Sequence, residues 1–282
     1  MTNGPTKGEL KERAIAAIDE RRDEIIAIAQ DILRNPETGY TEARTSNLVK
    51  EWYQRLDIPF KDGLAITGVK GFMDGGGGAG PTVALLSELD SLRVPDHPFA
   101  NQVTGAAHAC GHHVQVGSMI GTLIGLKSPG VMDALAGRLV PFAVPAEEFI
   151  EVERRLQLRD EGKVEFLGGK QELMKLNEFA DIDMALHVHT RALDAPSRLS
   201  VGGTGNGHVV KFVRYIGRAA HAGAEPYAGI NSLNAAVIAI NSMNANRETF
   251  RDQDIARFHG IISHGGDAVS SVPADVRLEW RV

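Results

Sequence analysis

The sequence predicts an α/β fold with a largely parallel sheet over residues 1–200, followed by a smaller α+β unit over 201–282. Three observations predict it. Apolar strand patterns alternate with helical ones through the first part, the rhythm of βα units. From about Gly203 the texture changes to a β-α-β-β order. The composition, 43% hydrophobic and 23% charged with a mean hydropathy of -0.14, excludes a disordered chain and a multi-span membrane protein.

Taken in order, residues 8–34 carry Leu10, Ala14, Ile15, Ile18, Ile25, Ile26, Ile28, Ile32 and Leu33 at threes and fours, which predicts one amphipathic helix. Asn35-Pro36 ends it, because proline cannot continue the ladder. A second helix is expected over 42–56 with Thr41 as its N-cap. The glycine run 75–80 precedes the apolar strand 82–86 and lacks the Lys-Ser/Thr of a phosphate loop, so it reads as a hairpin turn. Residues 114–126 read as a helix packed on its small residues, 138–144 as a strand, 169–177 as a short helix and 184–188 as a strand. In the second unit, 209–216, 256–263 and 275–282 read as strands around a helix at 229–243. That order is three quarters of a ferredoxin-like unit, incomplete by one helix and one strand.

Charge and cysteine content narrow the chemistry. Thirty Lys and Arg against 36 Asp and Glu give a net charge of -6, which excludes a non-specific nucleic-acid binder. A single cysteine makes no intramolecular disulfide. Residues 7–24 mix both charge signs without an apolar core, so no targeting signal is read and cytoplasmic residence is expected. The longest apolar stretch, 116–126, is too short to span a bilayer, so no membrane partner is expected.

Four clusters stand where a strand pattern gives way to a loop, the place where open α/β sheets carry their sites. In Ser87-Glu88-Leu89-Asp90-Ser91, alternation puts Glu88 and Asp90 on one face, where two carboxylates repel unless a cation or base joins them. A solvated acidic loop gives the same pattern. In Ala107-His108-Ala109-Cys110-Gly111-His112-His113, Cys110 and His112 reach one metal only if Gly111 bends the backbone between them. Thiolate with imidazole suits zinc, while a buried structural cysteine and a Cys-His catalytic dyad are the competing readings. In Val144-Pro145-Ala146-Glu147-Glu148 a turn after proline lets one acid ligate a metal while the other faces polarised water; a solvated Glu-Glu pair is the plain alternative. In Leu186-His187-Val188-His189 both histidines share a face, so either completes a site. Further on, His221 sits among small residues that permit close approach of a partner or ligand.

Asp90, the Cys110-Gly111-His112 motif, Glu147-Glu148, His187 and His221 occur in the order seen in the M20 family of metallopeptidases and amidohydrolases, which the chain resembles from about residue 8 onward. Asn35-Pro36-Glu37 with Glu42, Gly168-Gly169-Lys170 and the Gly265-Gly266…Val272-Pro273 segment also fit. The chain looks most like the amidohydrolase branch that includes aminoacylases, auxin-conjugate hydrolases and aminobenzoyl-glutamate hydrolases. The resemblance implies a zinc-exopeptidase-like catalytic layer with an inserted lid and dimerisation domain. It implies Cys110, His112, Glu148 and His187 as metal ligands, Glu147 as general base, Asp90 as the acid supporting the site, and His221 as a lid histidine that steadies the oxyanion in a neighbouring subunit of a homodimer. His187 is preferred to His189 because it directly ends the run Met184-Ala185-Leu186. The implied cofactor is Zn2+, with Mn2+ or Co2+ as alternatives, at one or two ions per site. The implied activity is hydrolysis of an amide bond in small N-acyl amino acids or dipeptides by metal-activated water. His113 departs from the family, which has Asp or Asn after the Gly-His pair. Family members continue further and supply a last metal-binding histidine, so the chain is expected to be truncated; an impaired chain with partial metal or partner binding is the alternative.

Overall fold

Apolar alternation becomes, in the computed structural model, a mixed sheet flanked by helices; the structure describes residues 4–191, 197–202 and 207–282. The chain forms two compact units, Met1–Pro196 and Ser197–Val282. The change of texture near Gly203 falls outside the described residues. Among the described residues, no helix is long and apolar enough to cross a membrane.

The first unit begins with α1 (Lys7–Glu20), α2 (Arg22–Arg34) and α3 (Ala43–Arg55), followed by β1 (Phe60–Leu64), β2 (Gly68–Gly71), β3 (Met73–Asp74) and β4 (Thr82–Glu88). Two short strands, β5 (Leu92–Arg93) and β6 (Ala106–Ala107), precede α4 (His112–Leu126). Then come β7 (Arg138–Val144), α5 (Val152–Asp160), α6 (Gly169–Lys175) and β8 (Met184–His187). The main sheet runs β1-β2-β7-β4-β8, with β3 also on β7. Its centre is parallel, since β4 pairs in parallel with both β7 and β8, while β1 to β3 are antiparallel additions. Both β4 and β7 are apolar runs covered on two faces, as parallel strands are. Their alternating residues feed two cores. Leu85 and Ala143 join Ile28, Ile32, Trp52, Tyr53, Met119 and Leu123 on the α2–α4 side; Ala84, Val140, Phe142 and Val144 join Tyr40 and Leu173 on the other.

Four expectations are corrected. The single helix over 8–34 is two, broken at Arg21 (φ -105°, ψ 17°), whose guanidinium lies 5.1 Å from the Trp52 ring. Both halves reach the glycine stripe of α4: a Cβ on Gly125 would stand 2.9 Å from Ile18 Cδ1, and one on Gly117 3.1 Å from Ala29 Cβ. Thr41 does not cap α3. Glu42 occupies that position without a side-chain cap, and Glu37 reaches in to accept the N–H of Arg44 and Thr45 at 2.9 and 2.8 Å. The glycine run joins no hairpin, because β3 and β4 pair with β7 rather than with each other. Instead Gly75, Gly76 and Gly77 donate to the carbonyls of Gly137, Met132 and Leu135, a close backbone approach that side chains would block. The second-unit helix, finally, starts at Ser232, where Asn231 accepts the N–H of Asn234 at 3.0 Å.

The second unit has β9 (Val210–Ile216), α7 (Ser232–Asn246), β10 (His259–His264) and β11 (Asp275–Arg281). These form an antiparallel sheet ordered β10-β11-β9. Ala236 of α7 packs on Val276, Leu278 and Trp280, the last stacked on Phe258 with ring centroids 4.6 Å apart.

Candidate metal centre

Three parallel neighbours, β7, β4 and β8, end at Val144, Glu88 and His187, so the loops after them meet at one edge of the sheet. The N-terminus of α4 supplies the fourth contribution. Gly111 caps it in a left-handed conformation (φ 87°), and a Cβ there would stand 2.3 Å from Thr190 Oγ1. Only glycine fits both demands, and the bend sets Cys110 and His112 side by side. Thr190 locks it by donating its hydroxyl to the Cys110 carbonyl at 2.9 Å.

His112 is the centre of the group and is fully buried. Its Nδ1 lies 2.8 Å from the Asp90 carbonyl, which can only accept, so Nδ1 carries the proton and Nε2 faces the other side. Nε2 stands 2.9 Å from Glu88 Oε2 and 3.9 Å from both Glu147 Oε2 and Glu148 Oε1. Cys110 Sγ is 3.4 Å from His189 Nε2, whose Nδ1 donates to the Thr190 carbonyl at 2.7 Å. Ligand atoms of Cys110, His112 and His189 lie within 4.8 Å of one another, as do those of Glu88, His112 and Glu147. His187 approaches the same Glu88 oxygen, with Nε2 3.4 Å from Glu88 Oε2 and 3.0 Å from Gln115 Oε1. Asp90 Oδ2 accepts the Glu148 N–H at 2.9 Å, tying the β4 and β7 loops together. Asp90, Cys110, His112, Glu147, Glu148 and His187 therefore share one neighbourhood. His221 belongs to the second unit, where its Nδ1 accepts the N–H of Gly223 and Ala224 at 3.1 and 3.0 Å.

These residues fit a divalent cation. His112 Nε2, Glu148 Oε1 and Asp90 Oδ1 are buried and have no hydrogen-bond partner among the described residues. Burying such atoms is costly unless something of opposite character meets them. Burial would depress His112, but Asp90, Cys110 and the nearby Glu88 charge hold it well above its ordinary value. Burial would raise Glu88, yet His112, His187 and Lys170 pull it far below the usual carboxylate range. Burial raises Glu148. The Cys110 thiol is lowered by His112 but raised on balance by burial and the Glu148 charge. A cation here would take the place of the His112 proton, because a ligating imidazole must be neutral.

Gln115 and Arg155 escape sequence reading, and the part played by Lys170, named only within a motif, is set by the fold. Gln115, one turn into α4, accepts the Glu88 N–H at 3.0 Å and donates to Glu88 Oε2 at 2.9 Å. Lys170 at the start of α6 bonds Glu88 Oε1. Arg155 of α5, wholly buried, donates to the carbonyls of Glu148 and Leu167. For Gln115 the available signal was a polar residue on the buried face of an apolar helix; for Arg155 there was none.

No family model matches the sequence. The chain is 26% identical to the Xaa-Arg dipeptidase of Mus musculus over 285 residues, covering 96% of this chain and 57% of that protein. It is 32% identical to IAA-amino acid hydrolase ILR1-like 5 of Arabidopsis thaliana over 138 residues, 48% of this chain and 31% of that protein. The chain thus spans little more than half of the first relative and about a third of the second. Among solved structures, the Bacillus subtilis YXEP protein, titled a dinuclear metal binding peptidase from the M20 family, superposes with a TM-score of 0.55 at 20% identity, over 94% of this chain and 65% of that one.

Proposed function

We propose that the chain is a member of the M20 family of metallopeptidases and amidohydrolases, and that it hydrolyses an amide bond in small N-acyl amino acids or dipeptides with a bound divalent cation. The observation that supports this best is the convergence of Cys110, His112, Glu147 and Glu148 around buried polar atoms with no partner among the described residues. In this reading Cys110, His112, Glu148 and His187 hold the cation, and the thiolate, imidazole and carboxylate set favours Zn2+ over Mn2+ or Co2+, at one or two ions per site. When bound, the cation supplies Lewis acidity to the scissile carbonyl and to water.

Glu147 is the general base. Its side chain is 36% exposed against 15% for Glu148, so it can reach both solvent water and the departing amine. It takes the proton from water and returns it to nitrogen. Asp90 fixes His112 and the Glu148 backbone. His221 donates to the developing oxyanion, delivered by the second subunit of a homodimer whose interface and lid the second unit provides. Cytoplasmic residence belongs to the same reading.

Metal analysis with a hydrolysis assay tests it. Chelated protein should be inactive on a panel of dipeptides and N-acyl amino acids, and recover when Zn2+ is restored. Metal retained without turnover of any amide would overturn the proposal, as would activity that survives chelation and dies on alkylation of Cys110.

A further inference from the structure

Besides Asp90, the turn that carries Glu147 and Glu148 is held by groups that the proposed chemistry does not use. Ala146 at its centre is fully buried in the left-handed region (φ 49°), a conformation that a non-glycine residue keeps only under constraint. Its N–H is donated to Glu42 Oε1 at 2.7 Å, and its carbonyl accepts the Gly169 N–H at 3.0 Å. Glu42 lies more than a hundred residues earlier, at the start of α3, and is itself 0% exposed. Its second oxygen accepts the Thr67 hydroxyl at 2.7 Å. Packing alone would be served there by an apolar side chain. Burying a carboxyl is costly, and what this one uniquely provides is an acceptor for the Ala146 amide.

We propose that Glu42 is a positioning residue for the Glu147–Glu148 pair: by accepting the Ala146 N–H it holds the left-handed turn and so sets where the two following carboxylates point. The inference rests on the metal-hydrolase reading above for what those carboxylates do. Burial, with the Asp90 charge adding to it, pushes the Glu42 carboxyl up to about 8. A neutral carboxyl makes the same two contacts, its hydroxyl donating to Thr67 Oγ1, so a side-chain amide of the same shape can replace it.

Hydrogen exchange at the Ala146 amide, combined with steady-state kinetics and Co2+ titration, tests this. Wild type and Glu42→Gln should both protect the amide and share similar kcat. Glu42→Leu, checked for folding by circular dichroism, should lose the protection and about a hundredfold in kcat with KM near wild type. Its Co2+ affinity should fall about tenfold through displaced Glu148. An unprotected Ala146 amide in wild type overturns the proposal and needs no variant. So does a folded Glu42→Leu with wild-type kcat and Co2+ affinity, or a Glu42→Gln as impaired as Glu42→Leu while Ala146 stays protected. Should Glu42→Leu not fold, exchange in wild type and Glu42→Gln decides alone, with loss in either counting against the clamp. If wild type binds Co2+ but hydrolyses no amide, the functional reading fails, and exchange with Co2+ affinity still decides the role of Glu42.

Discussion

Glu147 and Glu148 are neighbours in sequence but not in environment. Glu148 is the more buried of the two and has its amide tied to Asp90, while Glu147 is the more open to solvent. Glu147→Gln is therefore expected to lower kcat by about 10²–10⁴-fold with metal content unchanged. Glu148→Gln should instead lose metal, read by elemental analysis after gel filtration. Two histidines at the end of β8 divide differently: His189 touches Cys110, and His187 touches Glu88 and Gln115. His187→Ala is expected to weaken metal binding more than His189→Ala in a competition titration, and the reverse order would transfer the ligand role. Three of the chemistry-bearing clusters were legible because each follows an apolar strand, and the Cys110–His112 cluster, which opens α4, because its cysteine and histidines crowd around a glycine. Gln115 and Arg155 were not, since their partners are backbone and carboxylate groups that only folding brings near.

The helix that presents His112 depends on glycine. Gly117, Gly121 and Gly125 let α1 and α2 approach α4, and at Gly125 a Cβ would also meet the Ala14 carbonyl at 3.1 Å. Gly125→Val should cost about 1–3 kcal/mol by overpacking, seen as a lowered Tm. At the start of α3, removing the Glu37 carboxylate in Glu37→Ala leaves the Arg44 and Thr45 amides without their acceptor, at about 1 kcal/mol in urea denaturation. Periodicity located these helices but not the break at Arg21, because a 3.6-residue pattern continues across a change of direction. It also offered no sign of α5, whose sequence VERRLQLRD is mostly charged; burial of Val152 and Arg155 is what docks it.

Whole-molecule stability should carry the signature of Glu42. Its folded value of about 8 lies above the roughly 4.3 of an unfolded glutamate, so the folded form holds the proton more tightly. That contribution is full below about 4.3 and is lost as pH rises toward 8. Wild type should therefore lose stability relative to Glu42→Gln between about pH 5 and pH 8, in denaturation curves taken at both; parallel curves would mean that the carboxyl is ionised in the fold. Across a dimer, mixing inactive Glu147→Gln and His221→Ala proteins should restore activity if His221 serves the other subunit, and restore none if it does not.

Local order in the chain was enough to predict an α/β layer, a β-α-β-β unit after it, and motifs standing at strand ends, because periodicity and turn chemistry are short-range properties. Tertiary structure alone decided that β7, β4 and β8 lie side by side, that antiparallel strands extend the sheet, and that Glu42, Asp90 and Arg155 converge on one turn. Apart from the Arg155–Glu148 contact, which spans seven residues, those contacts join groups separated by tens of residues, and their energies come from burial and hydrogen bonds that exist only once the separate segments have met.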